Sequence, residues 1–431
     1  MKTEKDILKA EFGIDDKLIQ LAEQAQEDCK EQFKKAEEVK AFNQLKVLQA
    51  FRSQRIAPAH FAPTYGYGYG DVGREKLEQL FAEVFCAEAA IVRPSIASGT
   101  HALAIALFGS LKTGDICLSA SGKPYDTLEA VIGIGEPQWG SLAAMGVGYR
   151  QLELTNEHKI DLIELEKICT NNKIALVMLQ RSRGYTNRSS LTIDDIAKAC
   201  ACIKKASPST IILIDNCYGE FVDTSEPLEA GADLIVGSLI KNPGGGLAPT
   251  GAYIAGKADI IEKVASRLTS PGIGQEVGSY AASYMPFFQG LFMAPHIVCE
   301  ALKGAIFASR FFELLGYSVS PSFKEERSCI IQSINFSCEK EVINFCKAIQ
   351  SISPVDSFAT PEPWDMPGYT DKVIMAAGTF VQGASIELSA DAPIRPPFTA
   401  YMQGGLVYEQ VKAAALYAAQ QRSGQMTSIM I

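Results

Sequence analysis

Seven short apolar runs punctuate residues 56 to 285: "AAIVRP" (89–94), "DICLSA" (115–120), "YRQLEL" (149–154), "IALVMLQ" (174–180), "IILID" (211–215), "LIVGSL" (234–239) and "GAYIAG" (251–256). Each has the length of a strand, and most are apolar at consecutive positions, which a strand tolerates only when both of its faces are covered. The segments between them carry helical spacing instead. Leu77, Leu80, Phe81, Val84 and Phe85 share one helical face, and "TIDDIAKACACIKKA" opens on a threonine cap with an acid three residues later. Continuous strands alternating with helices predict an α/β domain built on a seven-stranded, mainly parallel sheet.

The flanks read differently. Residues 1–55 are rich in Glu, Lys, Gln and Ala at helical spacing and predict an N-terminal helical segment that packs on another subunit or domain. After the Gly- and Ser-rich "PGIGQEVGSYAASYMP", residues 286–431 predict a smaller α+β domain. Its strands lie at "CIIQSINFS", around "KVIMAAGTFV" and at "ASIELS", and its helices at "EVINFCKAIQSI" and "YEQVKAAALYAAQQ". The expected boundaries are therefore 1–55, 56–285 and 286–431.

Composition excludes several functions. A net charge of −9 and a pI near 5.2 argue against a broad nucleic-acid surface, which needs clustered Lys and Arg, while leaving room for a small anion in a local pocket. No run reaches the roughly 18 uninterrupted apolar residues of a membrane helix, and "MKTEKDILKAEFG" has no apolar signal core, so the expected location is cytoplasmic. Eleven cysteines, an odd number without a paired framework, fit a reducing compartment, and Cys200 and Cys202 read as packing residues. With four histidines, none near another or near a cysteine pair, no metal site is expected.

The glycine loop "GYGDVG" (68–73) satisfies G-x-G-x-x-G, but the preceding "APAHFAPTYGY" has two prolines and no strand pattern, so a dinucleotide site is disfavoured. Tyr65, Tyr67 and Tyr69 read instead as an exposed loop presenting rings and hydroxyls to a ligand or a neighbouring subunit. A second glycine run follows Lys241 in "SLIKNPGGG" (238–246). Lys241 is either a solvated loop charge or a nucleophile at the end of a buried strand. Asp215 ends the strand "IILID", and ligands of parallel α/β sheets bind at such carboxyl ends. Ser98, Gly99 and Thr100 open a strongly apolar helix, which makes them either a plain cap or an anion site. Together, a lysine amine, a carboxylate and a helix terminus are what pyridoxal phosphate requires for its aldehyde, its pyridine nitrogen and its phosphate.

At this point the chain resembles a known group, the fold type I pyridoxal phosphate enzymes of cysteine and methionine metabolism. The likeness is closest to the methionine gamma-lyase-like, aluminium-resistance-associated family of cystathionine beta-lyase type. The motifs that carry it are "GYGYGDVGREKLE" (66–78), "SGTHAL" (98–103), "QRSRGYTNRSSLTI" (180–193), "DNCYGEF" (215–221), "GSLIKNPGGGLAPTGAYIAG" (237–256) and "IRPPFTAYMQGGLVYEQVK" (394–412). The resemblance implies that Lys241 joins the cofactor and Asp215 holds its pyridine nitrogen. It implies that Ser98, Gly99, Thr100 and Ser238 bind phosphate and that Tyr125 stacks on the ring. Arg181, at the end of "IALVMLQ", would point into the same crevice. Arg395 in "APIRPPF" would clamp the substrate carboxylate through its planar fork, or alternatively tie two loops together. Tyr67 or Tyr69 would enter the site of a neighbouring subunit in a homodimer or homotetramer. One departure stands out: the loop "YGYGYGD" has no arginine until Arg74, which puts an arginine–phosphate contact there in doubt.

The activity so implied is elimination of a thiol from a sulfur-containing amino acid, leaving a 2-oxo acid and ammonia. Lys241 would also move the α-proton, a role that needs an amine that loses its charge readily, which burial favours. Aminotransfer, aldol cleavage, cysteine desulfuration and a non-catalytic cofactor-binding role share the same residues.

Overall fold

A computed structural model describes residues 2–135, 138–186 and 188–429, with side chains to 421. The chain forms two compact units, residues 42–295 and residues 1–41 with 296–431.

In the larger unit the seven runs form β1 (Ala89–Arg93), β2 (Ile116–Ser119), β3 (Gly148–Gln151), β4 (Ile174–Gln180), β5 (Ile211–Asp215), β6 (Leu234–Ser238) and β7 (Ala252–Gly256). Their order is β1-β7-β6-β5-β4-β2-β3. β3, β2, β4, β5 and β6 pair in parallel, and β7 runs antiparallel between β6 and β1. β3 is shorter than its sequence pattern and lies at the sheet edge, where its residues alternate between exposed and half-buried. β6 and β7 are buried at every position, which explains why their sequences show no polar alternation.

The helix Gly99–Ser110 packs on this sheet. Leu103 and Leu107 join Ile91, Met178, Val236 and Ile254 in one core, each contributing roughly 1.5–3 kcal/mol by burial. Gly109 lets this helix approach Ala258–Leu268, because a Cβ there would lie 2.5 Å from the Val264 Cα. The consequence is a fixed place for the N-terminus of Gly99–Ser110, beside the ends of β5 and β6.

The compact units divide the chain differently from the sequence-based boundaries. The N-terminal residues Leu8, Ile14, Leu18, Ile19, Ala22 and Ala25 share a core with Phe307, Phe311, Val342, Ile349, Ala414 and Leu416, so this segment belongs to the smaller unit. Both changes of unit fall inside helices, Lys30–Ser53 and Met285–Leu314, the second at its internal Pro295. Helical periodicity continues through both points, which is why composition did not mark them.

The smaller unit holds β8 (Val319–Ser320), β9 (Ile331–Asn335), β10 (Val373–Ala376), β11 (Ser389–Pro393) and β12 (Thr399–Gln403), antiparallel in the order β10-β11-β12-β9-β8. The expected strand "ASIELS" begins only at its last residue, Ser389, and β12 was not expected. Both are fully buried yet read "SADAP" and "TAYMQ", whose polar residues conceal the strand signal. Among the described residues one helix, Met285–Leu314, is long and apolar enough to cross a membrane, but 78% of its apolar stretch is buried in the protein.

Candidate active site

The carboxyl ends of β5 and β6 and the helix that starts at Gly99 bring most of the expected residues together. Ser98 caps that helix by accepting from the His101 amide at 3.1 Å. The helical geometry leaves the Gly99 and Thr100 amides without intrahelical acceptors, at the positive end of the helix dipole. A Cβ on Gly99 would lie 3.4 Å from Cys217 Sγ and 3.7 Å from Ser238 Cβ, so this terminus faces both the Asp215 turn and the end of β6. Ser238 itself is buried. Thr100 Oγ1 lies 2.7 Å from Thr127 Oγ1, which ties the same terminus to the segment bearing Tyr125. The Tyr125 ring lies against Gly184, where a Cβ would come within 3.3 Å, and 5.8 Å from the Tyr185 ring.

Asp215 is buried, and its carboxylate accepts the Cys217 amide at 3.2 Å. Burial pushes this carboxyl above its ordinary value, while Lys241, Cys217 and Arg188 favour the ionised form. Arg188 is also buried and donates to the carbonyls of Gln180 (2.7 Å), Ser189 (2.9 Å) and Ser182.

Lys241 follows β6, with its ammonium 4.0 Å from the centre of the Tyr218 ring. Tyr218 adopts φ 72°, a left-handed backbone that an L-residue holds only at a cost of about 1–2 kcal/mol. Burial is the largest influence on the lysine and lowers its pKa, but Cys217, Tyr218, Asp215 and Glu220 together outweigh it and hold the amine above its ordinary value. Burial thus favours loss of the amine's charge, as expected, and acidic neighbours that the expectation did not include oppose it. The glycines beyond serve close packing. A Cβ on Gly244 would overlap the Leu239 carbonyl at 1.7 Å, and one on Gly245, where φ is 53°, would meet the Gly290 carbonyl at 2.4 Å.

The other expected residues have surroundings of their own. Arg181 is fully buried beneath the turn, where it donates to Asn216 Oδ1 at 2.9 Å and pairs with Glu226 at 3.6 Å. It is directed into this network because Gly219 leaves it room; a Cβ there would meet the arginine side chain at 2.4 Å. Tyr67 and Tyr69 are 74% and 69% exposed, with ring centres 5.7 Å apart. Residues around them form no strand, and Asp71 caps the helix Val72–Val84, so the dinucleotide reading finds no support in the backbone. Arg74 donates to the carbonyls of Gly68 (2.8 Å), Gly278 (3.1 Å) and Glu276 (3.3 Å), which makes it a bracket for the tyrosine loop. Arg395 belongs to the smaller unit and pairs with Asp371 at 2.6 Å.

Sequence reasoning missed Tyr218, Glu220, Arg188 and Asn242. The available signal for Glu220 was an acid standing in "CYGEFV", between small and apolar residues of a turn that follows a buried strand.

A half-buried lysine, a buried carboxylate, a helix terminus with free amides and a facing serine define the class: a pyridoxal phosphate-binding α/β enzyme of fold type I. The donor set fits the cofactor, since it offers an amine, a carboxylate and an anion site in one crevice, with Gly99 providing close approach. The comparisons agree. The methionine gamma-lyase family model matches residues 18–423, and the chain belongs to that family. It is thus an enzyme of the pyridoxal phosphate-dependent carbon–sulfur lyase class. A carbon–sulfur lyase involved in aluminium resistance from Clostridium novyi NT is 51% identical, with 98% of this chain and 99% of that one covered and a TM-score of 0.94. The protein YnbB of Bacillus subtilis (strain 168), whose function is uncharacterized, is 51% identical over 88% of this chain and 90% of its own. A pyridoxal-5'-phosphate-dependent protein from Escherichia coli, YhfS, is 17% identical over 88% of this chain and 95% of its own, with a TM-score of 0.60, and shares the fold.

Proposed function

We propose that the enzyme eliminates a thiol from the β- or γ-carbon of a sulfur-containing amino acid of the cystathionine or methionine type, releasing a 2-oxo acid and ammonia. The observation that carries this reading is Lys241 held over Tyr218 beside the buried Asp215 turn. When bound, pyridoxal phosphate would supply an electron sink for the α-carbon. Ser98, Gly99, Thr100 and Ser238 would hold its phosphate, and Tyr125 would lie against its ring. Asp215 would bind the pyridine nitrogen as a carboxylate, a state that Arg188 and the Cys217 amide support.

Lys241 would move the α-proton. Its amine must first lose its own proton, against the pull of Asp215 and the Cys217–Tyr218 turn. Arg181 supports the turn from beneath in this reading. Arg395 would hold the substrate carboxylate in place of Asp371. Tyr67 or Tyr69 would complete the site of a second copy in a homodimer or homotetramer, which suits their exposure.

The test is to incubate purified protein and pyridoxal phosphate with a panel of sulfur amino acids, recording thiol and 2-oxo acid together. The wild type should release both in equal amounts. Lys241→Ala should release neither and should lose the cofactor adduct that borohydride traps. Equal turnover by the variant would overturn the assignment.

A further inference from the structure

Beneath the lysine turn lies a closed polar network that no step above uses. Glu220 is fully buried, and its Oε1 accepts the Tyr253 hydroxyl at 3.0 Å. No hydrogen-bond donor among the described residues reaches its Oε2. Asn242, the residue after Lys241, donates to the Glu220 carbonyl at 2.9 Å and so ties the two turns together. Gly237 makes space for the carboxyl, since a Cβ there would lie 2.4 Å from Oε1.

The charges that face Glu220 come from every neighbouring element. Glu226 lies close by, accepting from the Phe221 amide at 2.9 Å and from Asn216 at 3.2 Å, and Arg181 neutralises it. Tyr253 approaches from β7, with its ring stacked on Phe85 at 5.2 Å. Lys241 and Cys217 act from the site above. Two glutamates therefore stand close together beside the Tyr253, Phe85 and Phe221 rings, and Arg181 pairs with Glu226. An ionised carboxylate with one oxygen lacking a donor is costly there, whereas a protonated one is not.

We infer that Glu220 is a positioning residue for Lys241: a buried acid, tied to the lysine turn through Asn242, whose protonation governs the charge on the lysine amine. This rests on the lysine's proposed role. Burial and Glu226 raise the Glu220 carboxyl to about 8, so it keeps its proton at neutral pH and loses it on the alkaline side. The sign follows from charge. A neutral Glu220 exerts no pull on the ammonium, whereas an ionised Glu220 stabilises it and delays deprotonation of the amine as pH rises.

The experiment compares wild type with Glu220→Gln, which keeps an acceptor for Tyr253 but cannot ionise. In the protein loaded with pyridoxal phosphate, the pH midpoint of the visible absorption of the cofactor–lysine adduct should fall by about one unit in the variant. In the cofactor-free protein, the wild-type minus Glu220→Gln infrared difference spectrum should show the band of a protonated buried carboxyl at neutral pH and lose it on the alkaline side, the buried Glu78 and Asp215 carboxyls being common to both proteins. A folded variant with an unchanged midpoint, or with an unchanged carboxyl band, overturns the inference. If the wild type forms no visible adduct, the functional reading fails, the lysine's role falls with it, and the infrared arm alone still reports whether Glu220 holds a proton.

Discussion

Two glycine-rich segments of the larger unit look alike as strings and differ in their dominant physical cause. At 243–246 Gly244 and Gly245 are glycine because other backbone occupies the place of a side chain, with Gly245 and Gly246 also at φ 53° and 73°: Gly244 packs on the Leu239 carbonyl and Gly245 on that of Gly290. "GYGYG" at 66–70 is glycine mainly because of conformation. Gly66 and Gly70 have φ of 67° and 63°, and a Cβ at either would meet nothing within 4 Å; only Gly68 is crowded, by Ser279 at 2.9 Å. The first segment fixes a half-buried lysine and the second displays tyrosines to solvent. A glycine motif therefore carries no single meaning, and the space around its missing Cβ decides which one applies.

Gly244→Ala should have the largest effect. Leu239 presents backbone, which cannot step aside as a side chain can, and the Ala248 Cβ stands 2.7 Å away, so relief requires moving the lysine turn itself. The expected cost is roughly 3 kcal/mol or more, together with loss of the cofactor–lysine adduct. Denaturant unfolding and the visible spectrum measure the two. A variant of near-normal stability would show that the turn is less tightly held than its contacts indicate.

Asp215→Asn comes next and separates chemistry from packing at the same turn. Asparagine keeps the shape and can still accept the Cys217 amide, so stability should change little. It cannot carry the charge that a protonated pyridine nitrogen needs, and turnover should fall by about 100-fold, equivalent to about 2.7 kcal/mol of barrier. Steady-state thiol release with cofactor binding measured alongside tests this. Turnover within a few-fold of wild type would remove Asp215 from that role.

The same contrast explains what could be read from the sequence. The parallel sheet was legible because β1, β2, β4, β5, β6 and β7 are apolar runs between amphipathic segments, and the lysine, the acid and the helix terminus were legible because each ends or begins such an element. β12 was not, since "TAYMQ" gains its burial from the neighbours it pairs with rather than from its own composition. Arg181 shows the same limit at the site. Its position at the end of β4 suggested the crevice, but the absent side chain of Gly219, distant in sequence, lets it turn inward instead. The charge state of Lys241 was equally out of reach, because it depends on four acidic groups gathered by the fold.

The smallest effect should come from Gly66→Ala, and it is the sharpest check on the comparison. With nothing within 4 Å, an added methyl meets no neighbour, so the only cost is holding an L-residue at φ 67°. That is about 1 kcal/mol, or a fall in thermal midpoint of roughly 2–4 °C. Gly66→Asn should cost less, because asparagine tolerates the left-handed region better than alanine does. Gly68→Ala should cost more than either, since the Ser279 backbone stands in the way. The cofactor spectrum should be unchanged in Gly66→Ala, because the lysine turn does not sense that backbone. If Gly66→Ala instead matched Gly244→Ala, conformation alone would account for both glycine runs, and close packing around Gly244 would have no separate role.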